Sequence, residues 1–277
     1  MGRVEGKVAF ITGAARGQGR AHALRLAEEG ADIIAIDACA SMPPVQYAMP
    51  DAAELDSLAK EIEAFDRRVF TRIVDVRDGE AVAAAAADGV QALGGRLDIV
   101  LANAGVWAVS VDEPTDPAVR RAVWKTTLDI NTTGVWNTVE ACAPIMIEAG
   151  NGGAIVFTNS IQGLRYASNH DISLTAYTAS KHALVGLLRC AARDYAEHSI
   201  RVNSVHPTGV LTGMINHEIM GAYAEKHPRL GEVMGNILPT PLVDIADITE
   251  AVLYLVSDSG RFVTGVTLPV DAGALLK

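Results

Sequence analysis

Tyr177 and Lys181 are the two side chains of this sequence whose spacing is best suited to proton transfer. They lie four residues apart in Tyr177-Thr-Ala-Ser-Lys181, which places both groups on one face of a helix. Unperturbed tyrosine and lysine titrate near ~10 and ~10.4, so both are protonated at neutral pH. Because a neighbouring ammonium group favours the phenolate, we expect a lowered pKa for Tyr177 and a role as a base.

A glycine-rich turn far upstream gives this pair its context. Val8–Ile11 is a short apolar run that predicts a buried strand, and a helical pattern begins near Gln18. The glycines of the intervening segment, Thr12–Gly19, permit a tight turn and close backbone approach, and the helix start then faces a pyrophosphate. We therefore predict a dinucleotide site that includes Gly13, Arg16, Gly17, Gln18 and Gly19.

Asp37 indicates which dinucleotide binds. It closes the second predicted strand, 18 residues after Gly19. A carboxylate there accepts hydrogen bonds from the ribose hydroxyls and repels a 2′-phosphate, so NAD is the expected cofactor. Arg16 favours NADP instead, since an arginine in the turn can meet a 2′-phosphate. We give Asp37 more weight, because a carboxylate that faces a phosphate is costly.

Alternating strands and helices must position these groups. Apolar runs predict strands at residues 8–11, 32–36, 69–74, 97–101, 154–158, 201–205 and 266–270. Helical patterns cover residues 18–29, 51–65, 80–93, 116–149, 176–197 and 245–256. The alternation predicts an α/β fold: a single domain over residues 1–277, with a Rossmann-type, doubly wound parallel sheet covered on both faces.

Together the motifs resemble those of the short-chain dehydrogenase/reductase family, and the resemblance runs from Lys7 to Gly273. Its motifs are the glycine turn, Asp75 with Val76, Asn103–Gly105, Asn131–Gly134, Ser160, Tyr177–Lys181 and His206–Gly209. The resemblance implies that Tyr177 is the acid/base and that Lys181 binds the nicotinamide ribose. It also implies that Ser160 holds the substrate oxygen and that Asn131 supports a proton-relay water. Further implied cofactor contacts are Asp75, Val76, Asn103, Ala104, Gly105, Pro207, Gly209, Val210 and Thr212.

Two of these residues have plainer interpretations. Ser160 could simply cap the turn after the fifth strand, and Asn131 could be a kink residue within a long helix. The chain also departs from the family pattern at Asn159, where serine is common, and in the 17-residue separation of Ser160 and Tyr177, about four more than usual. These departures remove no chemical group from the expected mechanism.

Residues 38–50 form an insertion between Asp37 and the next helix. The insertion carries no charge and contains Met42, Val45, Tyr47 and Met49, so it is expected to pack on the cofactor or on the protein itself. The insertion and the opening segment resemble the carveol-dehydrogenase-like branch of the family. That resemblance implies coupling to the redox carrier mycofactocin.

The family resemblance implies that residues 211–240 form the substrate lid. This segment is rich in flexible apolar groups, including Met214, Val233 and Met234, and methionines adapt to irregular apolar ligands. Trp107, after the Asn-Ala-Gly turn, can supply another wall. The alternative is a pair of helices packed on the core. We therefore expect Ser160, Tyr177, Trp107 and Met214 to contact the substrate.

Composition narrows the function. The net charge of −10 argues against nucleic acid or an anionic membrane as partner. Three cysteines without metal spacing indicate reduced thiols, no metal site and a cytoplasmic protein. We expect an NAD-dependent dehydrogenase that interconverts a hydrophobic, carveol-like secondary alcohol and its ketone, and the family resemblance implies assembly as a homotetramer. The alternatives are an NADP-dependent carbonyl or acyl-thioester reductase and a non-catalytic NAD-binding regulator.

Overall fold

The computed structural model of the chain describes residues 2–166 and 170–277, except for the side chains of residues 232–234. The predicted lid residues Val233 and Met234 therefore lie outside the described side chains. So do residues 167–169, which belong to the lengthened segment between Ser160 and Tyr177.

Seven parallel strands form one sheet in the order β3-β2-β1-β4-β5-β6-β7. The strands are β1 (Val8–Thr12), β2 (Asp32–Asp37), β3 (Val69–Ile73), β4 (Ile99–Ala102), β5 (Gly153–Thr158), β6 (Ile200–Pro207) and β7 (Thr267–Val270). The order reverses between β1 and β4, and both of these strands are buried throughout. Such a reversal opens a crevice at the carboxyl ends of the strands, where α/β proteins bind ligands. The predicted fold class is confirmed.

Helices cover both faces of this sheet. They are α1 (Gly17–Glu28), α2 (Ala52–Glu63), α3 (Gly79–Ala92), α4 (Pro117–Leu128), α5 (Gly134–Ala149), α6 (Ile172–Asp194), α7 (Glu218–Lys226), α8 (Pro228–Met234) and α9 (Ile245–Val256). One apolar cluster joins the sheet to α3, α5 and α6, and a second joins it to α1, α2 and α9. Buried strands between two helical layers explain why their sequences are continuous apolar runs.

Two helix boundaries differ from the sequence prediction. Helix α6 begins at Ile172, four residues before the predicted start, because the Asp171 carboxylate accepts hydrogen bonds from the backbone N–H groups of Ser173 and Leu174. The long helical pattern of residues 116–149 divides into α4 and α5 at a π-helical turn, Asp129–Thr133. No helix of residues 2–166 and 170–277 is long and apolar enough to cross a membrane.

His22 is a fully buried titratable group that joins two outer helices. Its Nδ1 lies 2.8 Å from Thr249 Oγ1, and the Thr249 hydroxyl donates to the Ile245 carbonyl. The threonine oxygen therefore accepts from His22, which carries its proton on Nδ1. Burial lowers the pKa of His22 to about 3.

We predict that this histidine makes the fold acid-sensitive. Below pH ~6.5 this histidine binds a proton in the unfolded chain but not in the folded chain. The contribution of His22 to the free energy of unfolding is therefore fully present above pH ~6.5 and is lost as the pH falls toward 3. One such group changes the free energy of unfolding by about 1.4 kcal/mol per pH unit. Urea unfolding of wild type and His22→Gln between pH 4 and 8 measures this pH dependence. Equal pH slopes for the two proteins would refute the assignment, and His182→Gln, which alters a histidine on the surface, is the control.

Candidate active site

A cavity lies at the carboxyl ends of the central strands, where the strand order reverses. It is lined by most of the residues that the sequence assigned to cofactor and catalysis: Gly13, Arg16, Gly17, Gln18, Asp37, Asp75, Val76, Asn103, Ala104, Gly105, Tyr177, Lys181, Thr212 and Met214. The remaining assigned residues do not line it directly: Gly19, Trp107, Asn131, Ser160, Pro207, Gly209 and Val210. The fold therefore brings four distant motifs to one crevice.

The glycine turn is packed too tightly for side chains. A Cβ added to Gly19 would lie 2.1 Å from the Gly13 carbonyl oxygen, and one added to Gly13 would lie 2.8 Å from Ala104 Cα. Gly13 also has φ +66°, a left-handed conformation that glycine adopts readily. No side chain caps the start of α1, so its first N–H groups are available to an anion at the cavity. These features fit the pyrophosphate of a dinucleotide.

Asp37 ends β2 with its carboxylate directed at the turn. One oxygen accepts from Ala15 N at 3.1 Å and the other from Cys39 N at 3.0 Å. Burial raises its pKa, and the backbone N–H groups partly oppose that shift. Ala38 N–H also donates to this carboxylate, and a carboxylate has about four acceptor positions, so it retains capacity for a ribose hydroxyl.

Arg16, the residue that favoured NADP, is engaged elsewhere. Its guanidinium forms a two-pronged pair with the Glu54 carboxylate, with Nε 2.8 Å from Oε1. A third nitrogen donates to the Ala48 carbonyl at 2.7 Å, inside the insertion. Arg16 thus fastens the insertion to α2, and Glu54 already neutralises its charge.

The catalytic candidates meet where β5 ends beside α6. Ser160 donates a hydrogen bond to the Tyr177 phenol, and Lys181 Nζ lies 5.6 Å from the centre of the tyrosine ring. Lys181 is only 4% exposed and donates to the Thr158 carbonyl at 2.9 Å. The phenol, hydroxyl and ammonium groups predicted from the motifs are therefore adjacent.

The titration of Tyr177 differs from the sequence prediction. Burial raises the pKa of its phenol to about 12, although the hydrogen bond from Ser160 opposes the shift. Burial also lowers the pKa of Lys181 to about 8. The pKa of Tyr177 is therefore not lowered as expected. Both side chains are withdrawn from water, and the Lys181 ammonium group donates to the Thr158 carbonyl.

Asn159 and His206 support Ser160, and neither was assigned a role from sequence. Asn159 Oδ1 accepts from Ser160 N at 3.0 Å, and its Nδ2 donates to the Lys181 carbonyl at 3.1 Å. His206 Nδ1 donates to the Ser160 carbonyl at 2.8 Å, which leaves Nε2 to accept from Ser204. Burial lowers the pKa of His206 to about 4, so the imidazole is neutral. The unusual asparagine after Thr158 was the only available signal.

The plainer interpretations of Ser160 and Asn131 both describe contacts in the structure. Ser160 Oγ accepts from Gln162 N at 3.2 Å, so it caps the following turn while it contacts the phenol. Asn131 lies in the π-helical turn, and its amide exchanges two hydrogen bonds with the Val106 backbone at 2.8 and 2.9 Å. Its Nδ2 also donates to Ser180 Oγ. Asn131 therefore ties α5 to the end of β4 and to α6.

Of the other predicted cofactor residues, Asp75 and Val76 line the cavity, whereas Pro207, Gly209 and Val210 lie at or just beyond the end of β6. Asp75 is paired with Arg77, which lowers its pKa against the opposing effect of burial. Val76 accepts a backbone hydrogen bond from the Asn137 side chain at 2.8 Å. Beyond β6, which ends at Pro207, the Gly209 carbonyl accepts from Val243 N, and Val210 forms a bridge with Val243. This bridge holds the segment that leads to Thr212.

An apolar cluster joins Tyr177, the candidate acid/base, to the expected lid. Trp107 stacks on Tyr177 with ring centres 5.5 Å apart and 29° between planes. Tyr223 of α7 meets Trp107 edge-on at 5.9 Å. The partly buried members are Tyr177, Met214, Ile215, Ile219 and Met220, and the buried members are Trp107, Val109, Leu174, Tyr223 and Leu230.

The insertion lines the cavity opposite this cluster. Met42, Tyr47, Ala48, Met49 and Pro50 all contribute to its wall. Tyr47 stacks on His217 with centres 5.2 Å apart. Its hydroxyl accepts from the Trp107 backbone N–H. The insertion thus reaches the apolar cluster across the cavity.

Known proteins share this combination of fold and site. A family profile described as enoyl-(acyl carrier protein) reductase matches residues 13–274. The (−)-trans-carveol dehydrogenase of Rhodococcus erythropolis is 44% identical, with 100% of both chains covered. A crystal structure of carveol dehydrogenase from Mycobacterium avium in complex with NAD is 46% identical, with full coverage of both chains and a TM-score of 0.91. A short chain dehydrogenase from Mycobacterium paratuberculosis bound to NAD is 44% identical, again with full coverage, at TM-score 0.92. The chain belongs to the short-chain dehydrogenase/reductase family.

Proposed function

We propose that this protein is an NAD-dependent alcohol dehydrogenase that interconverts a hydrophobic secondary alcohol and its ketone. The enzyme class and the cofactor follow from family membership and from two relatives of 44–46% identity that were solved with NAD. The observation that carries the substrate class is the apolar cluster around Trp107, which begins at the catalytic phenol.

The residues of the cavity fit NAD. The glycine turn and the uncapped start of α1 would hold the pyrophosphate, and Asp37 would hold the adenosine ribose. Bound NAD supplies the hydride acceptor for alcohol oxidation. NADP is disfavoured because Asp37 would face its 2′-phosphate and because Arg16 is already paired with Glu54.

Side chains of the protein itself carry out the proton transfer. Ser160, whose single hydroxyl proton points to Tyr177 without substrate, would turn it to the substrate oxygen on which charge develops, and Tyr177 would take the alcohol proton. A phenol with a pKa of about 12 is protonated at neutral pH, so it needs positive charge nearby to become a base. Lys181, buried within reach of the tyrosine ring, is the side chain that can supply this charge.

The substrate side of the cavity suits a bulky apolar alcohol. Methionine, isoleucine and aromatic rings surround the phenol, and a carboxylate buried among them would be costly. The name of the Rhodococcus relative makes a carveol-like terpenoid alcohol the first substrate to assay. An acyl-thioester reductase has no comparable support from this cluster.

Replacement of Tyr177 by phenylalanine tests the proton-transfer role. The variant loses only the hydroxyl, so we expect kcat for carveol oxidation to fall by about 10²–10⁴-fold or more while NAD binding persists. NADH formation and calorimetric titration with NAD measure the two effects. Tyr254→Phe on α9 is the control. Turnover within a few-fold of wild type would remove Tyr177 from the mechanism, and an inactive wild type that binds NAD would favour a non-catalytic regulator.

Replacement of Asp37 by alanine tests cofactor choice. The variant loses an acceptor for the ribose hydroxyls and a charge that repels a 2′-phosphate. We expect weaker NAD binding and a smaller preference for NAD over NADP, measured by titration with each reduced cofactor. Asp56→Ala, an exposed carboxylate on α2, is the control. A wild type that binds NADP more tightly than NAD would contradict the assignment.

The insertion of residues 38–50 is a candidate cover for the cofactor. Its apolar side chains line the cavity, and Arg16 and His217 hold it from both sides. Burial of apolar area contributes about 25 cal/mol per Å², and such contacts act mainly on dissociation rates. A cofactor retained in this way would need reoxidation in place, for which a carrier such as mycofactocin is the proposed partner.

Shortening the insertion to a few residues should accelerate release of prebound NADH in stopped-flow fluorescence. Because Met42 is buried, Tyr47→Ala provides a milder variant that removes the contact with His217 and keeps the loop. We expect faster release in both variants. Release at the wild-type rate in both would reduce the insertion to packing on the protein surface and would remove the reason for a carrier.

A homotetramer remains part of the proposal. Trp124 on α4 and Trp136 on α5 are 43% and 48% exposed, unusual values for large aromatic residues. Contacts between subunits through the helices near Asn131 and Tyr177 would cover such groups. Native mass spectrometry gives the subunit number directly.

A further inference from the structure

Tyr223 connects the candidate lid to the catalytic helix through a buried hydrogen bond. Its side chain lies on α7 and is only 3% exposed. The hydroxyl donates to Asp171 Oδ2 at 2.5 Å. Asp171 is 8% exposed, and its other oxygen accepts from the backbone N–H of Ser173 at 2.6 Å. One carboxylate therefore caps α6 and anchors α7.

The ring of Tyr223 forms a second path to the site. It meets Trp107 edge-on at 81°, and Trp107 stacks in turn on Tyr177. The indole nitrogen of Trp107 has no hydrogen-bond partner among the described residues, so the position of this ring depends on its aromatic neighbours. Displacement of Tyr223 would therefore loosen the wall beside the catalytic phenol.

Tyr223 provides the most deeply buried attachment of α7, beside the partly buried Ile219 and Met220. Tyr223 is the only buried side chain among its nine residues, and a helix of this length is marginal without tertiary contacts. An ion pair joins Lys226 to Asp112, but both groups are largely exposed, and such pairs contribute little. At its start, His217 stacks on Tyr47 of the insertion. The Tyr223 hydroxyl therefore makes the main polar attachment of α7 to the protein body.

Asp171 belongs to the lengthened stretch between Ser160 and Tyr177 and lies immediately before α6. Its carboxylate therefore stands at the helix start, where the Tyr223 hydroxyl of α7 binds it. The backbone N–H of Ile172 is bound by Glu113, so the start of α6 is held from two sides.

We infer that Tyr223 and Asp171 are positioning residues whose hydrogen bond couples closure of α7 over a bulky alcohol to seating of Trp107 against Tyr177. The inference rests on the proposed function for its substrate, but the contact itself can be tested without turnover. Opening of α7 should expose Trp107, and Tyr223→Phe should favour opening because it removes the hydroxyl and keeps the ring.

Tryptophan fluorescence reports the position of the lid in the absence of substrate. The chain has three tryptophans, so a Trp124→Phe/Trp136→Phe background leaves Trp107 as the sole reporter. We expect Tyr223→Phe to raise acrylamide quenching of Trp107 by about twofold or more, as the open population grows. Tyr254→Phe in the same background is the matched control and should leave quenching unchanged.

Kinetics of the hydrophobic alcohol provide the second readout. Loss of a hydrogen bond to a charged group changes an equilibrium constant by about tenfold or more. For Tyr223→Phe we therefore expect KM to rise by about that factor, with a smaller change in kcat. Asp171→Asn keeps an acceptor oxygen and the cap, so its effect should be smaller. In the double variant the two effects should be less than additive, because the residues act as one unit.

The inference stands only if Tyr223→Phe raises both Trp107 quenching and KM. Unchanged quenching overturns it, as does a loss of kcat with unchanged KM, which would indicate a general structural defect. If wild-type protein oxidises no hydrophobic alcohol, the proposed function fails. In that case Trp107 quenching is measured in Tyr223→Phe, in Asp171→Asn and in the double variant. These three values then test whether the hydrogen bond between Tyr223 and Asp171 positions Trp107, independently of turnover.

Discussion

The side chain of Asn103 joins the carboxyl ends of three strands, and the site is built on that junction. Its Nδ2 donates to the carbonyls of Thr12 and Gly13, and its Oδ1 accepts from Thr158. A Cβ on Gly19 would lie 2.6 Å from the same Nδ2, so the glycine turn packs directly against it. Loss of this amide would remove a hydrogen-bond partner from the Thr12 and Gly13 carbonyls after β1 and from the Thr158 hydroxyl at the end of β5.

Burial governs the chemistry of this junction. Lys181 donates to Thr158, the residue that also donates to Asn103, so the ammonium group belongs to the same hydrogen-bonded network. Withdrawal from water disfavours the charged forms of both Lys181 and Tyr177, so their pKa values move apart, to about 8 and about 12. Both shifts favour the neutral side chains, and charge brought into the cavity has a strong effect because little water screens it.

The sequence predicted what depends on local pattern. Glycine spacing, apolar strands and the four-residue separation of Tyr177 and Lys181 were sufficient for the fold class and for most of the cavity lining. It missed what depends on tertiary contacts: the early start of α6, which a capping carboxylate sets, and the roles of Asn159 and His206, which are hydrogen bonds between elements. The raised pKa of Tyr177 was missed for the same reason, since burial cannot be seen in a four-residue motif.

The departures of this chain from the family pattern meet on one helix. The insertion reaches the start of α7, where Tyr47 stacks on His217, and the lengthened segment after Ser160 reaches its middle, where Asp171 binds Tyr223. Neither addition changes the catalytic groups. Each instead supplies a contact to a helix that has one buried residue of its own. Because Tyr47 also accepts from the Trp107 backbone, the insertion that lines the cavity and the apolar cluster share a side chain. Under the proposed role of α7, movement of this helix would disturb both.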